Sequence, residues 1–216
     1  MIKSFFRAAL YYVVKGLCFS ALKVYNRLKI SGRELIPDAR PVIVAANHAS
    51  NLDPVVVGGV FPGRLRPLGK VQLFRINRPF TWLMNNLGVI PLDRESGASA
   101  AMALKNFLEL LKNGESLMIF PEGGRSLDGR LKPLEGGVAV LSVSTGAPIV
   151  PLYIAGTFEA MPVGAKSVKR TPISVQFGNP VYPLPKEERG TLKEERERIR
   201  LTLQNELMRL EKESIG

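Results

Sequence analysis

Pro41-Val42-Ile43-Val44-Ala45-Ala46-Asn47-His48-Ala49-Ser50-Asn51-Leu52-Asp53-Pro54 is the stretch on which the reading of this chain turns. Its first six residues form an unbroken apolar run, the pattern of a strand covered on both faces. A polar loop follows at once, and its last residue is a proline suited to the first turn of a helix. His48 is the only histidine of the chain, and Asp53 is the only acidic residue between Arg40 and Asp93. A histidine that takes a proton from an alcohol must be neutral and in the right tautomer. A carboxylate on its other ring nitrogen provides both conditions and stabilises the imidazolium that forms. Residues five apart do not face each other on a regular helix, so the loop must turn at Ala49, Ser50 and Asn51 to bring the pair together. On these residues alone the alternative stays open: a core histidine beside an aspartate that caps the helix ahead of Pro54.

Working outward, short apolar runs alternate with helical patterns. Strands are expected at 29–33, 42–46, 66–70, 89–92, 117–120, 149–154 and 173–177. Helices are expected at 54–60, 79–87, 98–112, 137–144 and 192–212, with a helix stop at Gly88 ahead of the fourth strand and another at Asn113-Gly114 after the 98–112 helix. This alternation predicts a single α/β domain with a mixed, mostly parallel sheet flanked by helices. The chain has 216 residues and shows no internal repeat or long linker. Its chemistry is therefore expected in loops at strand ends.

Two such loops carry charge. Phe120-Pro121-Glu122-Gly123-Gly124-Arg125-Ser126 offers adjacent glycines for close backbone approach, a guanidinium fork and a hydroxyl, a set suited to phosphate. The same composition also suits a tight turn, and Glu122 could orient Arg125 or meet a glycerol hydroxyl. Gly88-Val89-Ile90-Pro91-Leu92-Asp93-Arg94 runs a strand into a basic residue, where Arg94 can pair with phosphate or with Asp93 or Glu95.

The formal charge is +11, and +10 of it lies in residues 1–80, which hold 13 Lys+Arg against 3 Asp+Glu. That asymmetry implies an anionic partner near the N-terminal end. Residues 1–28 place Phe5, Leu10, Val13, Val14, Leu17, Ala21 and Val24 on one broad apolar face, with Lys3, Arg7, Lys15, Lys23 and Arg27 able to reach headgroups. This reads as an amphipathic helix lying in a membrane interface rather than crossing it, because Arg7, Lys15 and Lys23 break the apolar run. An ordinary helix docked on the core is the alternative. The lone Cys18 excludes a disulfide framework and a thiolate zinc site, and it has no nearby base to make it a nucleophile.

Together these residues resemble the glycerolipid acyltransferases, specifically the 1-acylglycerol-3-phosphate acyltransferases. Four motifs of that family occur in order across about residues 29–180: Asn47-His48 to Asp53, the strand ending in Arg94, Phe120 to Ser126, and Ile149-Val150-Pro151-Leu152. The resemblance implies that His48 is the general base and Asp53 its orienting partner. It implies that Arg94, Glu122, Gly123, Arg125 and Ser126 hold the acceptor's glycerol phosphate, that Lys70 adds to that pocket, and that Pro151 lies near the acyl donor or shapes the pocket. Gly124 stands where the family usually has threonine, which puts only a hydroxyl contact in doubt. The implied reaction moves a fatty acyl group from acyl-CoA or acyl-carrier protein to lysophosphatidic acid, giving phosphatidic acid, with no cofactor and no metal. The implied organisation is a membrane-binding segment at 1–28 and an acyltransferase domain at 29–216, attached peripherally to the cytoplasmic face through anionic lipids.

Rival readings fare less well. A serine hydrolase would need a Gly-x-Ser-x-Gly elbow, and the nearest match, Gly97-Ala98-Ser99-Ala100-Ala101, lacks the final glycine. A non-catalytic basic protein would explain the charge but not the isolated His48 and Asp53. No stretch interleaves aromatics with bases as a nucleic-acid surface would, so no nucleic-acid partner is expected. The donor is open: Arg64, Arg66, Lys70, Arg75 and Arg78 could meet CoA phosphates or an acidic carrier protein.

Overall fold

The computed structural model describes residues 2–92 and 97–215. Seven strands form one sheet: β1 (Lys29–Ser31), β2 (Ile43–Ala46), β3 (Arg66–Lys70), β4 (Ile90–Leu92), β5 (Leu117–Ile119), β6 (Ile149–Ala155) and β7 (Ser174–Phe177). Their order across the sheet is β1-β7-β6-β2-β5-β3-β4. Every pair is parallel except β6 with β7. The helices are α1 (Ile2–Tyr25), α2 (Asp53–Val60), α3 (Arg78–Leu87), α4 (Gly97–Lys112), α5 (Gly137–Thr145), the single turn α6 (Thr157–Ala160) and α7 (Leu192–Ile215). The mostly parallel α/β sheet is the one the alternation of apolar runs predicts. The turn at α6 has no counterpart in that reading, because four residues are too few to show a helical period.

Both faces of the sheet are covered, which explains why its central strands are apolar without alternation. Val42, Val44 and Ala46 pack with Leu22 of α1 and with Val56, Val57 and Val60 of α2. Ile43 and Ala45 point the other way, into Phe107 and Leu111 of α4, Val138 and Leu141 of α5, and Ile199, Leu203 and Leu207 of α7. The α7 residues recur at helical spacing, so one stripe is buried while Arg200 and Arg209 pair with glutamates on its outer face. Its start is a capping box: Thr191 Oγ1 accepts from the Glu194 N–H, and the Glu194 carboxylate accepts from the Thr191 N–H.

Helix α1 packs along α2 and α3. Tyr11 and Leu22 are buried there, whereas Phe5, Leu17 and Val24 are 78%, 67% and 76% exposed. Lys15 turns inward, where its Nζ donates to the carbonyls of Phe61 and Gly63. Burial, and to a lesser degree Arg33, holds its pKa below the ordinary lysine value. The stretch Phe5–Tyr25 is long and apolar enough to cross a membrane, with mean hydropathy 1.3, despite the three cations that interrupt it.

The topology selects one place for a site. The chain leaves β2 for α2 on one face and leaves its neighbour β5 for α5 on the other. At such a reversal α/β folds place their ligand crevice outside the carboxyl ends of the strands. Residues 47–52 and 120–136 are those two loops.

Candidate active site

The first loop turns as its composition suggests, and the Asp53 N–H bonds to the Ser50 carbonyl. That turn brings Asp53 Oδ2 to 2.8 Å from His48 Nδ1. The same oxygen accepts from the backbone N–H groups of Ala49 at 2.8 Å and Ser50 at 2.7 Å. Asp53 therefore reaches back to the loop before it and does not cap α2, whose first turn has no side-chain cap. Oδ2 is surrounded by donors, so Nδ1 donates to it and, in the neutral ring, Nε2 keeps the lone pair. The His48 side chain is 13% exposed and that of Asp53 1%, so the carboxylate is shut away from water while the ring keeps a small exposed area. Asp53 Oδ1 is buried without a hydrogen-bond partner among the described residues.

Neighbouring elements fix the ring. Phe120 stacks on His48, with centroids 4.1 Å apart and planes 20° from parallel. Asn47 ties the loop to β6: its side chain donates to the Ile154 carbonyl at 2.9 Å and accepts from the Ile154 N–H at 2.7 Å. This amide pair continues the β2–β6 ladder one residue past the strand, so that His48 starts from a fixed backbone. Ser50 Oγ donates to the Met161 carbonyl at 2.7 Å, anchoring the loop on its other side.

The second loop brackets His48. Its N–H donates to Glu122 Oε1 at 2.6 Å, and its carbonyl accepts from the Ser126 N–H at 2.7 Å. Glu122 Oε2 accepts from the Lys132 N–H at 3.1 Å, so both carboxylate oxygens are spent on backbone. Burial dominates at this carboxyl and pushes its pKa up to about 7, against the opposing pull of those two N–H groups. Ser126 Oγ donates to Asp128 Oδ1 at 2.8 Å, and that bond holds the exposed Asp128 below the usual carboxylate range. Gly123 sits at φ +68°, a backbone conformation that strains any residue with a Cβ, which is why glycine suits it. Helix α7 steadies the far end of the loop: Gln204 accepts from the Leu134 N–H at 2.9 Å and Glu211 from the Leu131 N–H at 3.0 Å.

The residues expected to bind substrate are thus placed unevenly. Arg125 is partly exposed and crosses the crevice to donate to Asn51 Oδ1 at 2.8 Å. Lys70 is exposed at the carboxyl end of β3, in register with Leu92 of β4. Arg94 lies two positions beyond Leu92 and outside the described residues. Glu122 and Ser126 are buried and turned inward, and Pro151 is buried within β6 opposite Ala45. The five basic residues considered together as a donor surface include both ends of one strand. Arg66 starts β3, where it pairs with Glu115, while Lys70 ends the strand, roughly 13 Å away at 3.3 Å per residue.

Behind Pro54 lies an apolar cavity of about 170 Å³, lined by Tyr11, Val14 and Cys18 of α1, Gly58 of α2, Leu87 of α3 and Met118 of β5. Cys18 contributes to this wall, and burial holds its thiol above the ordinary pKa. Sequence reasoning named Asn47 only as part of a motif and missed Phe120 and Lys132 as partners of His48 and Glu122. The order Asn-His after a buried strand was the available signal for the first. Among the described residues no group of three or more potential metal ligands occurs.

A profile of the acyltransferase family matches residues 27–155, which contain both loops, and the chain belongs to that family. It is 31% identical over 174 residues to a chloroplastic 1-acyl-sn-glycerol-3-phosphate acyltransferase of Brassica napus, covering 80% of this chain and 50% of the relative. The human 1-acyl-sn-glycerol-3-phosphate acyltransferase alpha is 31% identical over 131 residues, 59% of this chain and 45% of its own length. The chain spans about half the length of the curated relatives it matches. Among solved structures, the 1-acyl-sn-glycerophosphate acyltransferase PlsC of Thermotoga maritima superposes with a TM-score of 0.77 at 26% identity, over 95% of this chain and 81% of that one.

Proposed function

We propose that this chain transfers a fatty acyl group from a thioester donor, acyl-CoA or acyl-carrier protein, to the sn-2 hydroxyl of 1-acylglycerol-3-phosphate, forming phosphatidic acid. The observation that carries the reading is the His48–Asp53 hydrogen bond at the switch point of the sheet, with Nε2 left as the basic nitrogen. In the proposed reaction Nε2 takes the proton of the hydroxyl as its oxygen attacks the thioester carbonyl. The tetrahedral intermediate collapses by breaking the carbon–sulfur bond, and the imidazolium returns the proton to the departing thiolate. The products are an ester and a free thiol, with no acyl-enzyme and no metal or cofactor in any step.

Arg125 reaches Asn51 of the first loop and is assigned to the acceptor phosphate, joined by Lys70 at the end of β3 and by Arg94, two positions beyond β4. The Gly123 backbone and Ser126 shape the same loop, Glu122 positions His48 through its N–H, and Pro151 lies in β6 beside Ala45 of β2. The apolar cavity behind Pro54 opens one residue from Asp53, which makes it a fitting place for an acyl chain. Peripheral attachment to the cytoplasmic membrane surface is supported by the exposed apolar side of α1 and by Leu127, 81% exposed in the loop beside Ser126. The inward face of α1, tied down through Tyr11, Leu22 and Lys15, favours lying in the interface over crossing it.

The test is a product assay with purified protein in detergent, given lysophosphatidic acid and each donor. Phosphatidic acid and free thiol should appear in equal amounts. Release of free fatty acid, or equal turnover of a lysophospholipid lacking the terminal phosphate, would refute the assignment.

A further inference from the structure

A second cationic feature lies on the same edge of the sheet, away from His48. The start of β1 pairs with the start of β7, Lys29 with Ser174, and Ser174 pairs with Ala155 at the carboxyl end of β6. The last turn of α1 therefore reaches the edge that carries the crevice, three strands from β2 and roughly 14 Å along it at 4.8 Å per strand. There Tyr25, Arg27, Arg170, Thr171 and Pro172 line a cavity of about 150 Å³.

We propose that this cavity binds the phosphate of an anionic phospholipid in the membrane surface, as a site separate from the acceptor's place beside His48. The inference rests on the membrane attachment proposed above and locates its charged contact. Residues 23–30 and 162–172, which meet at the cavity, contain Lys23, Arg27, Lys29, Lys166, Lys169 and Arg170 and no acidic residue. Neither arginine of the lining takes part in an ion pair or a side-chain hydrogen bond among the described residues, so both guanidinium groups remain available to an anion.

The frame is pinned while those charges stay free. Asn26, buried beside the cavity, donates to the carbonyls of Lys169 at 3.1 Å and Thr171 at 2.9 Å, and its own carbonyl accepts from the Ile173 N–H at 2.9 Å. Tyr25 Oη donates to the Val168 carbonyl at 3.2 Å. Arg27 is held at φ +50°, the only positive φ at a non-glycine residue in the described chain. Glycine is the usual residue just past a helix end, where this conformation comes without steric cost. Arginine there aims a cation into the cavity at the expense of backbone strain, a pattern that accompanies function.

A lipid phosphate fits better than one arriving from solution. Val24 and Tyr25, 76% and 46% exposed, carry the apolar side of α1 up to the rim of the cavity, the order in which acyl layer and headgroup follow each other in a membrane.

The test sediments the full, untagged chain with vesicles of phosphatidylcholine alone and of phosphatidylcholine mixed with phosphatidylglycerol. The variant combines Arg27→Gly, which suits the observed φ, with Arg170→Gln at an exposed position, and an unchanged thermal melt verifies its fold. Affinity for the mixed vesicles should fall about tenfold or more, the scale expected for two interfacial cations, while affinity for neutral vesicles holds. An equal fall on replacing Lys166 and Lys169 would point to diffuse charge and overturn the cavity. Displacement of the wild-type chain by CoA, beyond that caused by salt of matched ionic strength, would reassign the cavity to the donor. Unimpaired binding by the variant would defeat this site alone, whereas a wild-type chain that binds neither vesicle would defeat the membrane reading itself.

Discussion

The loops 47–52 and 120–136 leave adjacent strands side by side, yet they use their polar groups in opposite ways. The β2 loop presents a histidine whose far nitrogen is free, and spends Asp53, Asn47 and Ser50 on orienting it. The β5 loop holds more ligand-type side chains, but Glu122 and Ser126 face inward and its principal contacts hold the β2 loop in place. Only Arg125 reaches across the crevice with part of its guanidinium exposed. On the proposed reading, reactive and supporting residues are split between two motifs of similar polarity, and burial rather than residue type divides them.

Substitutions can break or sharpen that contrast. His48→Ala should have the largest effect, lowering kcat by about 10²–10⁴, the usual weight of a general base; steady-state rates in detergent measure it. Asp53→Asn should cost about 10² or more by releasing the tautomer, with KM little changed. A loss confined to KM would contradict the orienting role. Arg125→Ala should raise KM for the phosphorylated acceptor about tenfold while kcat holds, the worth of one charge-assisted hydrogen bond. A fall in kcat alone would move Arg125 to the supporting side.

Glu122→Gln should act more gently on rate, lowering kcat about tenfold, and it carries a second readout. The carboxyl titrates near 7 in the folded chain, above its unfolded value, so the folded state holds the proton more tightly. Its contribution to stability is fully present below the unfolded pKa and is lost as pH rises through about 7. The wild-type melting temperature should therefore decline across that window more steeply than the variant's. Equal slopes would show that burial does not govern this carboxyl.

Much of the fold was legible because both of its signals are local. Apolar runs such as Val42 to Ala46 and helical stripes such as Ile199, Leu203 and Leu207 declare themselves within a few residues. The antiparallel β7 was not legible, since strand direction depends on where a chain returns. The pairing of His48 with Asp53 could be read from their isolation and from the turn residues between them. The inward course of Glu122 could not, because its partners are backbone N–H groups of His48 and Lys132, 74 and 10 residues away. Backbone donors carry no sequence signature. The same holds for Asn47, whose partner is the main chain of Ile154. The scatter of Arg66 and Lys70 to opposite ends of β3 follows from strand rise, which turns proximity in sequence into distance in space.

The central claim concerns a single nitrogen, and the chain offers a direct view of it because it contains one histidine. Nitrogen-15 NMR of the untagged, histidine-labelled protein at about pH 8.5, where imidazole is ordinarily neutral, reports which ring nitrogen carries the proton. A protonated Nδ1 and a bare Nε2 are expected, with that preference lost in Asp53→Asn. A proton on Nε2 in the wild-type chain would contradict the assignment of His48 as the base.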